Sequence, residues 1–276
     1  MRFRLYREYG ALNSRPVFDA FEQGLKTLGH TVVAADEDVS VIWSILWSGR
    51  MLPNRKIYHE AIKNNKPIII IEVGNLLRNN TWRVGLNHIN GLGIFGNDVN
   101  LDNSRPTKLG IQLQPERSTR RKEILIAAQH QQSLQWEDQK PMAEWVHLTV
   151  NQIKQYSDRP IVVRSHPRSR LIVPGINVEV PQMIPNTYDS FDFDHSYHCV
   201  INHNSGPTVQ AAVQGIPVIC DQSGLAYPVS STFNQIESIA LPNREEWFLK
   251  LCHTEWTVSE IAQGIPLKRL EKFLVK

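Results

Sequence analysis

The stretch Lys66–Gly85, KPIIIIEVGNLLRNNTWRVG, decides how this chain is read. Four consecutive isoleucines, Ile68–Ile71, show no polar alternation, the pattern of a strand covered on both faces. The run then ends on a carboxylate, Glu72, with Gly74 two residues on. The sequence therefore asks why its most apolar segment stops at a charge.

Reading outward from this strand, short apolar runs alternate with helical patterns. MRFRLY is a first strand. SRPVFDAFEQGLKTLGH follows with Ser14 as N-cap and Val17, Phe18, Phe21, Leu25 and Leu28 on one helical face. TVVAA and VSVIW read as strands and NRKIYHEAIKNN as a helix, whereas residues 74–118, rich in Gly and Asn, hold no long periodic segment. The second half repeats the scheme. EILIAAQ, PIVVRSHP, HCVINHNS and IPVICD are strands, KPMAEWVHLTVNQIKQYS and GPTVQAAVQG are helices, and NREEWFLKLCHTEW and TVSEIAQG are closing helices. Strands separated by helices predict βαβ units and parallel sheets. The expected fold class is α/β, with two Rossmann-like, doubly wound lobes facing a cleft. The lobes cover residues 1–118 and 119–276, the boundary falls near Pro115–Lys122, and the last helix is free to pack back on the first lobe. Ligands of such sheets bind beyond the C-terminal strand ends, so the cleft is the expected site.

With 276 residues, 41% hydrophobic and 21% charged, the chain has the composition of a soluble globular protein. No apolar run reaches the roughly 18 residues of a membrane span, and MRFRLYREYG lacks a signal-peptide core. Cys199, Cys220 and Cys252 are far apart and read as buried thiols of a reducing compartment; a cytoplasmic protein without stable membrane insertion is expected. The net charge of +3 is unevenly divided: residues 1–123 carry 18 Lys+Arg against 12 Asp+Glu, and residues 124–276 carry 12 against 15. An anionic partner is drawn to the first half, or that half is simply a solvated basic surface.

Three strand ends of the second half carry polar chemistry. IVVRSHPRSR leaves its strand through His166 and Pro167, flanked by Arg164, Arg168 and Arg170, residues that meet phosphate oxygens. In VINHNSGPTVQ, Asn204, Ser205 and Gly206 stand between a strand and a helix that starts near Pro207, an arrangement that binds anions or merely caps a turn. QHQQSLQW adds Gln129 and His130. Together these ends suggest a nucleotide site. Walker, GxGxxG, GxSxG and HExxH patterns do not occur. FDFDHSYH, with Asp192, Asp194, His195 and His198, reads as a solvated loop rather than a metal site, so no metal ligand is assigned.

The ordered series VIW, IIIIEVGNLLR, ILIAAQ, VVRSHPR, NHNSGPTVQAAVQGIPVICD and REEWFLKLCHTEWTVSEIAQG resembles the capsular-polysaccharide-type glycosyltransferases of the GT-B fold, which include Kdo-transferring capsule enzymes. The resemblance runs from about Val39 to Gly264. It implies a nucleotide-sugar donor as co-substrate, with no other cofactor, held by His166 and the Asn204–Ser205–Gly206 turn, with Thr208 assisting. It also implies that Glu72 is the catalytic base: partly desolvated and rigid, it would take the proton of an acceptor hydroxyl in a single inverting displacement. The alternative is a Glu72 paired with Arg78 or Arg83 that holds the loop. Two departures stand out. The family more often has an acidic pair where this chain has Glu72-Val73, and Gln210 occupies the place of a ribose-binding Glu. Arg164, Arg168 and the helix start would offset the leaving group's charge, so metal independence is expected.

For the acceptor, Trp43, Trp47, Arg50 and Arg78 offer flat surfaces and cations in the basic half. An anionic glycan fits them, and so does DNA presenting a flipped, hydroxymethylated pyrimidine. A non-catalytic nucleotide- or glycan-binding module and a nucleotide-sugar epimerase remain alternatives.

Overall fold

The computed structural model describes residues 1–182, 184 and 196–274. The chain divides into two compact units, one made of Met1–Leu109, Gln132–Leu134 and Leu249–Lys276, the other of Gly110–Gln131 and Gln135–Phe248. The segment from Leu249 returns to the first unit, where Ile261, Leu267, Leu270 and Leu274 complete its core.

The first unit contains β1 (Arg2–Leu5), α1 (Arg15–Thr27), β2 (Thr31–Val32), β3 (Val39–Trp43), α2 (Asn54–Lys63), β4 (Ile68–Val73), β5 (Trp82–Leu86) and the single turn α3 (Arg105–Lys108). The second unit contains β6 (Ile124–Ala127), α4 (Met142–Lys154), β7 (Ile161–Arg164), β8 (Val178–Glu179), β9 (Cys199–Ile201), α5 (Gly206–Val213) and β10 (Val218–Ile219). After α6 (Glu245–Cys252) the chain adds β11 (Glu255–Trp256), α7 (Val258–Ala262) and α8 (Ile265–Leu274) to the first unit.

The first sheet has the order β11-β5-β4-β3-β1-β2. Its four strands β4, β3, β1 and β2 are parallel, while β5 pairs antiparallel to both β4 and β11. Strict alternation explains why the isoleucine run has no polar member. Val39, Val41, Trp43, Ile69 and Ile71 share one core with α1, α7 and α8, and Ile68 and Ile70, fully buried as well, lie on the opposite face. Strand β5 lies inside the segment that holds no long periodic pattern, since five residues of WRVGL are too short to show a period. Strand β11 lies inside the stretch read as a closing helix, because two residues cannot compete with the helical pattern before them.

The second sheet is wholly parallel, with the order β10-β9-β6-β7-β8. Numbered from β6, this is 3-2-1-4-5, the Rossmann order, whose switch point falls between β6 and β9. Its core combines Ile124 and Ile126 with Val146, Val150 and Ile153 of α4 and with Val163 and Ile201. The three thiols are free, and burial pushes each up to about 12. Among the described residues no helix is long and apolar enough to cross a membrane.

Two features of the first unit give measurable expectations. Gly24 lies inside α1, yet a Cβ there would stand 2.4 Å from the Ile261 carbonyl oxygen of α7. An Ala in a helix interior normally gains about 1 kcal/mol over Gly. Here the backbone contact reverses the sign, and Gly24→Ala is expected to lower stability by roughly 1–3 kcal/mol in chemical denaturation. The second feature is His253, whose Nδ1 donates to the Leu249 carbonyl at 2.8 Å while Nε2 accepts from the Asp102 N–H at 3.0 Å. Burial first, then Arg269 and Arg105, push its pKa below the ordinary imidazole value, against the pull of the Leu249 carbonyl and Asp102. A depressed folded value means that its stability contribution is complete above about pH 6.5 and is lost as pH falls below it. The melting temperature should therefore drop as pH falls below about 6.5, and His253→Gln should make that drop shallower.

Candidate functional site

The C-terminal end of β4 shows what holds Glu72. The half-buried carboxylate accepts from the Ser44 hydroxyl at 2.6 Å on Oε2 and from the Val73 N–H at 2.9 Å on Oε1. Arg83 stands opposite it in register on β5, but its guanidinium donates to the carbonyls of Val73 (3.2 Å) and Ile89 (2.9 Å). Burial pushes Arg83 below the ordinary guanidinium value, and the nearby Glu72 and Glu255 oppose that shift. The loop after β4 is held by another carboxylate. Fully buried Glu255 of β11 accepts from the Asn75 and Leu76 amides and from the Thr81 hydroxyl at 2.8 Å. A Cβ on Gly74 would fall 2.3 Å from Glu255 Oε2, so the close approach requires glycine there. Arg105, itself buried, binds the Glu255 carbonyl and the Glu260 carboxylate and lies 4.1 Å above the Trp256 ring, which secures β11.

The expected acceptor residues separate. Trp43 is 2% exposed and packs on Phe18, and Trp47 is 5% exposed and packs on Tyr58. Neither offers a ring to a sugar or a base, a correction that follows from the parity of β3, which turns Trp43 into the core. Arg50 is exposed and Arg78 half-buried in the loop after β4.

In the second unit, the ends of β6 and β9 come together. Asn202, buried, donates to the Ala127 carbonyl of β6 and accepts from both the amide and the hydroxyl of Ser205, the N-cap of α5. Gln129 is buried, and its Oε1 receives the Asn204 amide at 3.3 Å. Asn204 Nδ2 donates to Ser223 Oγ at 2.9 Å, and that hydroxyl donates to Asp221 at 2.6 Å. Since a carboxylate only accepts, the chain of donors runs one way. The NH2 group of Asn204 therefore faces Ser223, and its Oδ1 is a buried acceptor with no donor among the described residues. Such an oxygen suits a ligand hydroxyl, not a phosphate. Gly206 and Pro207 open α5 in half-buried positions beside this network, and Gln210 lies one turn further on.

At the end of β7, His166 and His130 meet edge to face with centroids 5.1 Å apart, and His166 Nδ1 accepts the Arg168 amide at 3.1 Å. Burial and Arg168 push His130 below the ordinary imidazole value. Arg168 is exposed. Two members of the expected donor set are buried. Arg164 is 6% exposed and lies near Tyr197, where its charge opposes the upward push of burial on that phenol. Thr208 is 1% exposed and donates to the Ser205 carbonyl within its own helical turn. Asp192, Asp194 and His195 lie outside the described residues, while His198 is buried with Nε2 donating to the Ile236 carbonyl.

Sequence reasoning missed Ser44, Asn202 and Glu255. Only Asn202 carried a visible signal, as one of several polar residues in INHNS; nothing in the sequence distinguishes which of them turns inward.

Both units are thus mixed or parallel α/β layers with polar groups collected at strand ends, as in Rossmann-like domains. No protein-family model matches the chain, and no curated protein sequence matches it. The solved structures it is similar to include two from Thermosulfurimonas dismutans KpsC. The beta Kdo 2,4 transferase is 12% identical with a TM-score of 0.47, over 91% of this chain and 89% of that one. The beta Kdo 2,7 transferase is 12% identical with a TM-score of 0.48, over 97% and 99%.

The Glu255 cluster makes a direct prediction. Glu255→Ala strands the Asn75 and Leu76 amides and should cost roughly 3 kcal/mol, while the Thr81 hydroxyl keeps the Leu77 carbonyl at 3.1 Å. Hydrogen exchange at Asn75 and Leu76 should accelerate in that variant more than exchange in β3; equal acceleration at both places would refute a local role.

Proposed function

We propose that the protein is a GT-B-type glycosyltransferase that moves a sugar from a nucleotide-sugar donor to an acceptor hydroxyl. The observation that carries this reading is the β6/β9 switch point, where Gln129, Asn202 and Asn204 build a polar strand end against the N-terminus of α5. The first-turn amides of α5, with His166 and Arg168, suit a diphosphate or phosphate leaving group. The orphan Asn204 Oδ1 suits a hydroxyl of ribose or sugar.

Glu72 acts as the base in this reading. It takes the acceptor's proton as the acceptor oxygen bonds to the anomeric carbon. The bond from that carbon to the phosphate oxygen breaks, the nucleotide leaves with the electron pair, and the configuration inverts. The cations of the site and the helix start stabilise the leaving charge without a metal. The acceptor is an anionic glycan: the basic balance of residues 1–123 and exposed Arg50 favour it, and the burial of Trp43 and Trp47 removes the stacking platform that a flipped DNA base would use.

Calorimetric titration with UDP, GDP, CDP and CMP tests the donor assignment. One nucleotide should bind the wild type, and His166→Ala should weaken it about tenfold. Glu72→Gln should bind that nucleotide as the wild type does and transfer no sugar. Absence of binding by all four nucleotides would refute the reading.

A further inference from the structure

We propose that Ser44 is a positioning residue for the Glu72 base, a role that rests on the transferase reading above. Seven non-glycine residues among those described have positive φ, and six are Asp36, Asn65, Asn79, Asn87, Asn100 and Asp138, of the two types whose short polar side chains best tolerate that region. Ser44, at φ 63°, is the exception, and it is 4% exposed. Glycine would adopt this backbone without strain. What serine adds is its hydroxyl, and the structure shows where the hydroxyl goes.

The direction of its hydrogen bonds is fixed. The Leu46 N–H donates to Ser44 Oγ at 3.1 Å, and a carboxylate can only accept, so the hydroxyl proton points at Glu72 Oε2 across 2.6 Å. That length is in the range of charge-assisted O–H···O⁻ bonds. The strained backbone is held by its surroundings. Ser44 N–H donates to the Ile71 carbonyl of β4 at 2.8 Å, Asn54 Nδ2 donates to the Trp43 carbonyl at 2.7 Å, and Leu134 N–H donates to the Ile45 carbonyl at 2.9 Å. Bonds on both sides of Ser44 thus fix the left-handed turn, and the turn delivers the hydroxyl to the carboxylate.

With Ser44 on Oε2 and the Val73 amide on Oε1, both oxygens are pinned and the carboxylate plane cannot rotate. Each oxygen keeps a further lone pair for an acceptor hydroxyl. An otherwise half-buried glutamate, with three rotatable bonds, is thereby kept in one orientation, which is what a general base needs before its substrate arrives.

The test compares Ser44→Gly and Ser44→Ala with the wild type. Ser44→Gly relieves the backbone and removes the hydroxyl; Ser44→Ala removes the hydroxyl and keeps the strain. The readouts are melting temperature, nucleotide affinity by calorimetry, and steady-state transfer from a panel of UDP-, GDP- and CMP-sugars to an anionic oligosaccharide. Ser44→Gly should melt at or above the wild-type temperature, bind nucleotide unchanged, and lose between about ten- and a hundredfold in kcat with KM for the donor within twofold. Ser44→Ala should show the same kcat loss with a lower melting temperature. Retention of kcat within twofold in Ser44→Gly, or a loss that falls on donor KM, overturns the role of Ser44 and leaves the transferase reading standing. A wild type that binds none of the nucleotides and transfers none of the sugars overturns the transferase reading, and the role of Ser44 with it.

Discussion

The first unit depends on one buried carboxylate. Glu255 comes from the far end of the chain, on a strand of two residues, and its hydrogen bonds reach back across the sheet to the loop that follows β4. A fully buried charge is tolerable only when its lone pairs are taken up, and here the Asn75 and Leu76 amides and the Thr81 hydroxyl take them up. The consequence is structural order at the one place where the parallel sheet stops. The β4–β5 turn must begin with a residue lacking a side chain, because Gly74 passes within contact of the carboxylate. Glu72 then stands two residues before a fixed point.

That fixed point needs the rest of the C-terminal segment. Leu267, Leu270 and Leu274 of α8 join the core beneath β1, β3 and β4, and α7 can approach α1 because Gly24 leaves room for the Ile261 carbonyl. Arg105 and Glu260 then bind the backbone on either side of β11. Packing and electrostatics are coupled here: apolar burial brings the segment home, and the buried ion pair and carboxylate set its register.

How much of this was legible depends on length scale. Elements long enough to show a pattern were readable: α1 from Val17, Phe18, Phe21 and Leu25, β3 and β4 from short apolar runs, and the alternation of strands and helices that implies parallel sheets. Strands β5 and β11 were not, because five and two residues fit several patterns and their pairing partners are distant in sequence. At the site, strand ends were readable as places where polar residues gather, since Glu72, Gln129, His166 and the Asn204 turn all follow apolar runs. The direction of individual side chains was not. Trp43 sits at a strand end yet turns into the core, and only parity and packing decide that. Ser44 was invisible for a different reason: a left-handed backbone at a serine is imposed by tertiary hydrogen bonds and leaves no compositional trace.

The two carboxylates of this region also answer the question raised by the isoleucine run. Glu255 is fully buried and carries three protein donors, so no access remains for a substrate. Glu72 is half-buried, carries two donors that fix its orientation, and keeps acceptor capacity on both oxygens. If Glu72 merely held the loop, it would duplicate a task that Glu255 already completes with more bonds, and Arg83 would be expected on its oxygens rather than on the Val73 and Ile89 carbonyls. The apolar strand carries its charge to the edge of the core and no further, where β4 supplies rigidity and solvent remains within reach. That combination is what the proposed base role asks of Glu72, whereas Glu255 organises the loop.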